Sequence, residues 1–108
     1  MRKIEQQMVD AIKCRKNWKS GNTEVIINDN QCANVYLHGN LISWVTDEKI
    51  ELFDGGWQTP TTKSRLNAII KSLTDGTKNG VYQLNYQWYC QTNGVDYPFE
   101  EVSTIPLV

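Results

Sequence analysis

Ala33-Asn34-Val35-Tyr36-Leu37-His38-Gly39-Asn40-Leu41-Ile42-Ser43-Trp44 decides how this chain folds. Apolar and polar residues alternate with period 2 up to Gly39-Asn40 and again after it, the pattern of two antiparallel strands. A two-residue connection with glycine first suits a type II′ hairpin turn. That register opposes Leu37 to Ile42 and Val35 to Trp44, and puts all four on a core face. Tyr36, His38, Leu41 and Ser43 fall on the wetter face.

The flanking sequence extends the meander. Thr23–Asn28 reads as a strand before the turn residues Asp29-Asn30-Gln31. Thr46–Lys49 turns the chain into a short strand, Ile50–Phe53, which Asp54-Gly55-Gly56 breaks. Upstream, Ile4, Met8, Ala11 and Ile12 share one helical face, which predicts a helix over residues 2–16. Gly21-Asn22 suits its exit, with Trp18 folded back onto the core. Downstream, Leu66, Ile69, Ile70 and Leu73 predict a second helix from about Thr62 to Leu73. Thr61 or Thr62 is its expected N-cap, and Pro60 is expected to prevent an earlier start. Alternation returns over Val81–Gln91, as one long strand or as two strands folded near Asn85. Asn93-Gly94 then turns into Val95–Phe99, an edge strand because of Pro98. Glu100–Val108 reads as irregular. The expected class is α+β: an N-terminal helix, an antiparallel β-meander, a second helix and a C-terminal β-hairpin, packed as one sheet-plus-helices domain over residues 1–108.

Composition narrows the function classes. A chain of 108 residues with 40% hydrophobic and 21% charged residues is of ordinary globular make-up and long enough to bury a core. No apolar run could span a bilayer, and Arg2, Lys3, Glu5 and Asp10 leave no room for a secretory h-region, so no membrane partner is expected. Cys14, Cys32 and Cys90 are dispersed without a CxxC pair, and His38 is the only histidine. Reduced cytoplasmic thiols follow, with no disulfide framework, metal, cofactor or Cys–His nucleophile. Cys90 alternates with core positions, whereas Cys14 has Lys13, Arg15 and Lys16 beside it to favour a thiolate. Net charge is −1 but uneven: residues 1–20 hold six bases against two acids, and residues 21–58 six acids against one base. Such polarity either steers a partner or is surface patchiness. Asp47/Glu48 and Glu100/Glu101 sit in a turn and in the tail and read as solubility charges.

The richest candidate site is Gly56-Trp57-Gln58-Thr59-Pro60-Thr61-Thr62-Lys63-Ser64-Arg65-Leu66-Asn67. Hydroxyls and two cations around the first turn of a helix, where amides are unpaired, can seat a phosphate or a partner carboxylate. On the alternative reading one threonine caps the helix and the cations are solvated. Trp57, Thr59, Thr62, Lys63 and Arg65 form the expected contact surface, with Tyr36 and His38 as outsiders. A second candidate is the late aromatic group Tyr82, Tyr86, Trp88, Tyr89 and Tyr97, either an interface or packing. Trp44 and Trp88 read as packing residues.

Several stretches together resemble a group of small proteins encoded by tailed bacteriophages, often of the T7-like type. They are N-T-x-V (Asn22, Thr23, Val25), V-x-L-H-G-N-x-I (Val35 to Ile42), E-L-F-D-G-G-W-x-T (Glu51 to Thr59), T-T-K-S-R-L-N (Thr61 to Asn67) and Q-W-Y (Gln87 to Tyr89), followed by Asn93-Gly94. The resemblance implies a phage accessory protein, an early product made in the bacterial host cytoplasm. It carries no activity to any residue. Proteins in that setting commonly bind and redirect a host protein.

The function expected is therefore non-enzymatic binding of a host or phage protein, in a host-takeover or counter-defence role. The alternative is nucleic-acid or nucleotide binding through the basic first helix and the Thr61–Arg65 helix start. A nuclease whose carboxylates converge only in space is the remaining enzymatic option. An uncovered apolar sheet face would argue for a homodimer.

Overall fold

The computed structural model describes residues 1–100 and 102–107. Two helices and nine strands follow in the order α1 (Lys3–Cys14), β1 (Trp18–Ser20), β2 (Thr23–Ile27), β3 (Ala33–Leu37), β4 (Asn40–Val45), β5 (Lys49–Phe53), α2 (Pro60–Leu73), β6 (Gly80–Leu84), β7 (Gln87–Thr92), β8 (Val95–Pro98) and β9 (Val102–Pro106). Strands β1 to β5 form an antiparallel meander, and β9 returns to pair antiparallel with β5, giving the order β1-β2-β3-β4-β5-β9. Strands β6, β7 and β8 make a separate three-stranded antiparallel sheet. The class is α+β, with two sheets where the sequence suggests one.

One buried cluster joins both helices to both sheets. It includes Met8 and Ile12 of α1, Val25, Val35 and Ile50 of the meander, Leu66 and Ile69 of α2, and Trp88 of β7. Burial alternates along β3 and β5, as expected when one sheet face takes the helices and the other stays wet. The wet face carries Tyr36, Leu41, Trp44 and Phe53, half-buried among Glu24, Lys49 and Glu51.

The central hairpin departs from the expected register. His38 and Gly39, with φ 51° and 78°, form its turn, so Leu37 pairs with Asn40 and Tyr36 with Leu41. Positive φ at both central positions matches a type I′ turn, whose twist suits the flanking strands. The register then shifts at Ile42, so that Val35 faces Ser43 and Asn34 faces Trp44. A bulge inverts the side-chain parity beyond it. Ser43 is therefore buried, its hydroxyl donating to the Glu51 carbonyl at 2.9 Å. Trp44 lies on the wet face, with the Lys49 ammonium 5.7 Å from its ring centroid.

Other boundaries move for local reasons. Helix α1 stops at Cys14 because Arg15 adopts a left-handed conformation, its amide and that of Lys16 returning to the Ile12 and Ala11 carbonyls. The chain then enters β1, which pairs Trp18 with Val25 and half-buries that tryptophan. Helix α2 begins at Pro60, earlier than expected, with Thr59 as N-cap. Proline is tolerated at the first helical position because its missing N–H would have no partner there. Residues 81–91 are two strands folded at Asn85-Tyr86. That fold inverts their parity: Val81, Trp88 and Cys90 are buried, and Tyr82 and Leu84 point out. The expected irregular tail contains β9; Glu101 and Val108 lie outside the described residues.

Arg65 of α2, 4% exposed, ties three elements together. Its guanidinium donates to Glu5 of α1 at 2.8 Å, to the Thr23 hydroxyl of β2 at 3.1 Å and to the Asn22 side-chain oxygen at 3.4 Å. Ser64 adds a 2.6 Å donation to the same Glu5 oxygen. Two residues on, the Asn67 amide donates to the Val81 carbonyl at 2.8 Å and accepts from the Val81 N–H at 2.7 Å. Both exchanges mimic a strand neighbour and close the outer edge of β6.

Removing one partner of a buried ion pair leaves the other charge desolvated and unmatched. Arg65→Met should therefore cost about 3–5 kcal/mol of unfolding free energy in a urea titration. The Glu5→Gln/Arg65→Met double variant should cost less than the sum of its single changes. A loss under ~0.5 kcal/mol for Arg65→Met, the scale of an ordinary surface change, would contradict this role. The Asn85-Tyr86 turn holds a bulky residue at φ 66°. Tyr86→Gly should stabilise the chain by about 0.5–1 kcal/mol, the left-handed penalty of an L-residue less the extra entropy glycine loses.

Candidate functional site

Asp54-Gly55-Gly56-Trp57 closes as a tight turn, the Trp57 amide donating to the Asp54 carbonyl at 3.2 Å. Both glycines have positive φ, 68° and 87°. Gly55 is also pressed against β4: a Cβ there would lie 3.2 Å from Asn40 and 3.3 Å from Ile42. The Asp54 carboxylate accepts from the Gly56 amide at 2.8 Å and from the Gln58 side chain at 3.4 Å. The turn is thereby fixed onto the tip of the β3–β4 hairpin, with a carboxylate at one end and an indole at the other.

Between turn and hairpin lies a cleft of about 270 Å³. Leu37 and Ile42 give it an apolar floor, and His38 and Asn40 line it from the hairpin. Asp54, Gly55 and Trp57 line it from the turn, and Thr59 and Thr62 from the start of α2. Trp57 is 71% exposed, the most open of the four tryptophans. Every residue that lines the cleft belongs to one of the stretches through which the sequence resembles phage proteins.

The helix start itself is spent on structure. The Thr62 amide donates to the Thr59 hydroxyl at 3.1 Å, and the two hydroxyls lie 2.9 Å apart. The Lys63 amide donates to the Thr59 carbonyl, and Pro60 has no amide. Of the first four helical positions, at most one N–H is left for an anion. Arg65 corrects the expectation of a contact cation: it points inward to Glu5 rather than to solvent. Lys63 is half-exposed and outside the cleft lining. Trp57, Thr59 and Thr62 thus come together with the outsider His38, whereas Tyr36 lies half-buried on the wet face of the large sheet. The sequence reading missed Asp54 and Asn40. Asp-Gly-Gly was a legible turn signal, but its docking onto β4 was not.

The late aromatics divide. Trp88 is buried edge-on to Phe99, centroids 5.7 Å apart. Tyr82 stacks on Tyr89 at 5.4 Å, while Leu84, Tyr86 and Tyr97 are exposed. Partial desolvation, then a hydrogen bond to Asp96 and the charge of that carboxylate, push the Tyr82 hydroxyl pKa up although the ring faces outward. Burial likewise raises the Cys90 thiol, which keeps it protonated at neutral pH. Cys14 is exposed and all three cysteines are free thiols. Among the described residues no three His, Cys, Asp or Glu side chains converge as a metal-ligand set. Among them no helix is long and apolar enough to cross a membrane.

A family model described as Kyanoviridae Gp96 protein matches residues 1–106. No curated protein and no solved structure matches the chain. The match supports the phage origin implied by the sequence without bearing on the T7-like type. The chain belongs to the Kyanoviridae Gp96 protein family, a family of phage proteins.

Proposed function

We propose that this phage protein acts without catalysis, by binding a host or phage protein in a host-takeover or counter-defence role. The observation that carries the reading is Trp57, largely solvent-exposed at the lip of a cleft with an apolar floor. An exposed tryptophan beside a preformed pocket is costly to leave in water, and such residues dominate the energetics of protein interfaces. Exposed His38 and half-buried Thr59 give the same surface polar groups with which to set orientation, while Thr62 is buried with its hydroxyl on Thr59, and half-exposed Lys63 follows it on α2. Burial of Arg65 against Glu5 removes one of the two cations on which a nucleic-acid reading of the helix start depends. Lys63 and the exposed N-terminal cations Arg2, Lys3, Lys13, Lys16 and Lys19 are what that alternative retains.

Capture from host lysate, with and without nuclease, tests the reading. The folded wild-type protein should retain a stoichiometric partner protein after nuclease treatment. Trp57→Ala with Lys63→Ala should reduce that capture at least tenfold, the scale of a hot-spot loss. Equal capture by wild type and double variant would remove the cleft from the interface. Recovery that disappears with nuclease would replace protein binding with nucleic-acid binding.

A further inference from the structure

The cleft beside Trp57 has a definite electrostatic character. Among the described residues that line it there is one carboxylate, Asp54, one imidazole, His38, and no lysine or arginine. The tight turn holds that carboxylate and the Trp57 indole at its two ends, joined by the 3.2 Å backbone hydrogen bond. The Asp54 oxygens each accept one intramolecular hydrogen bond and keep further lone pairs. An aromatic ring and a carboxylate that line one cleft can together hold an organic cation, by cation–π attraction and a charge-assisted hydrogen bond. The floor of Leu37 and Ile42 suits the methylene stem that carries such a cation. The volume of about 270 Å³ admits one long side chain rather than a folded element.

We propose that the cleft receives the alkyl-cation end of an arginine or lysine side chain presented by the protein partner. The proposal rests on the protein-binding reading above and names the chemistry of its anchor. Asp54 takes the charge, Trp57 covers it, and the apolar floor packs the stem. Gly55 supports the arrangement, since its φ of 68° strains an L-residue and a Cβ there would lie 3.2 Å from Asn40 and 3.3 Å from Ile42, tighter than ordinary packing. The inference predicts that the contact surface of the partner is basic at its centre.

The test uses short capped peptides as probes, Gly-Arg-Gly against the same peptide with neutral, isosteric citrulline, titrated into the intact protein and followed by NMR of the Trp57 indole N–H. The arginine peptide should shift that signal with an affinity about tenfold above that of citrulline, the sum of one exposed cation–π contact and one exposed ion pair. Asp54→Asn keeps an oxygen for the Gly56 amide and should weaken arginine binding about three- to fivefold. Equal binding of the two peptides, absence of a shift with either, or indifference to Asp54→Asn would overturn the proposal. If the peptides do not bind while Trp57→Ala still abolishes partner capture, the cation anchor falls and the protein-binding reading stands. If Trp57→Ala leaves partner capture intact, that reading falls and takes the anchor with it.

Discussion

The buried guanidinium of Arg65 constrains the rest of this molecule. It sits where α2, α1 and the start of β2 meet, and each of its hydrogen bonds reaches a partner at least 42 residues away in sequence. A buried ion pair gains little net stability over well-packed apolar residues, because desolvation offsets most of the Coulomb attraction. What it can supply is geometry: only one placement of α2 satisfies Glu5, Thr23 and Asn22 together. Among the described residues no buried side-chain nitrogen or oxygen is left without a partner, so the network closes. Placing α2 also places Asn67 against β6 and Thr59 at the edge of the cleft. The T-T-K-S-R-L-N stretch, the most distinctive in the chain, is thus mainly scaffold, while the surface it orients lies just before it.

Legibility in the sequence followed the range of the interaction. Local periodicity located both helices and most of the strands, because amphipathic spacing depends only on near neighbours. It failed where a single residue changes parity. The bulge at Ile42 exchanges the inner and outer faces of β4 beyond it, so Trp44 reads as inward but lies on the wet face, and the fold at Asn85-Tyr86 puts Tyr82 and Leu84 on the side opposite Trp88 and Cys90. Strand β9 was missed because its partner β5 lies on the far side of an excursion containing α2 and the second sheet. Arg65 was misread for the same reason: nothing near it in sequence announces a buried carboxylate on α1. Its neighbour Thr59 was legible as part of a site but not as the cap, since a proline at the first helical position looks like a barrier until the helix is seen to begin on it.

The candidate site shows the same division. Trp57 could be singled out from the sequence because it stands between glycines and a helix start, where a large aromatic has no evident core to enter. The cleft beside it could not, since one wall comes from the β3–β4 hairpin and the other from the turn after β5. They meet at Gly55, where a Cβ would be crowded against Asn40 and Ile42, a property that reads locally as no more than a break in a strand.

Rigidity separates this surface from the other exposed aromatics. Tyr86, 96% exposed at a hairpin tip, sits on a turn that strains its backbone, and its strand neighbours end there. Trp57 instead closes a turn whose glycines carry the positive φ values without strain, whose carboxylate is hydrogen-bonded, and whose back is packed on Asn40 and Ile42. The backbone of such a surface is already held, so binding need order only the side chains and more of the contact energy survives as affinity. The two sites also differ in consequence. A strained tip can be relaxed by glycine at no cost to the core, whereas the Asp54–Trp57 turn is coupled to the hairpin by contact at Gly55 and to α2 by the chain that runs into Thr59. That coupling ties the cleft to the Arg65 network, because the same helix whose body is fixed by Glu5 presents Thr59 and Thr62 to the cleft at its first turn.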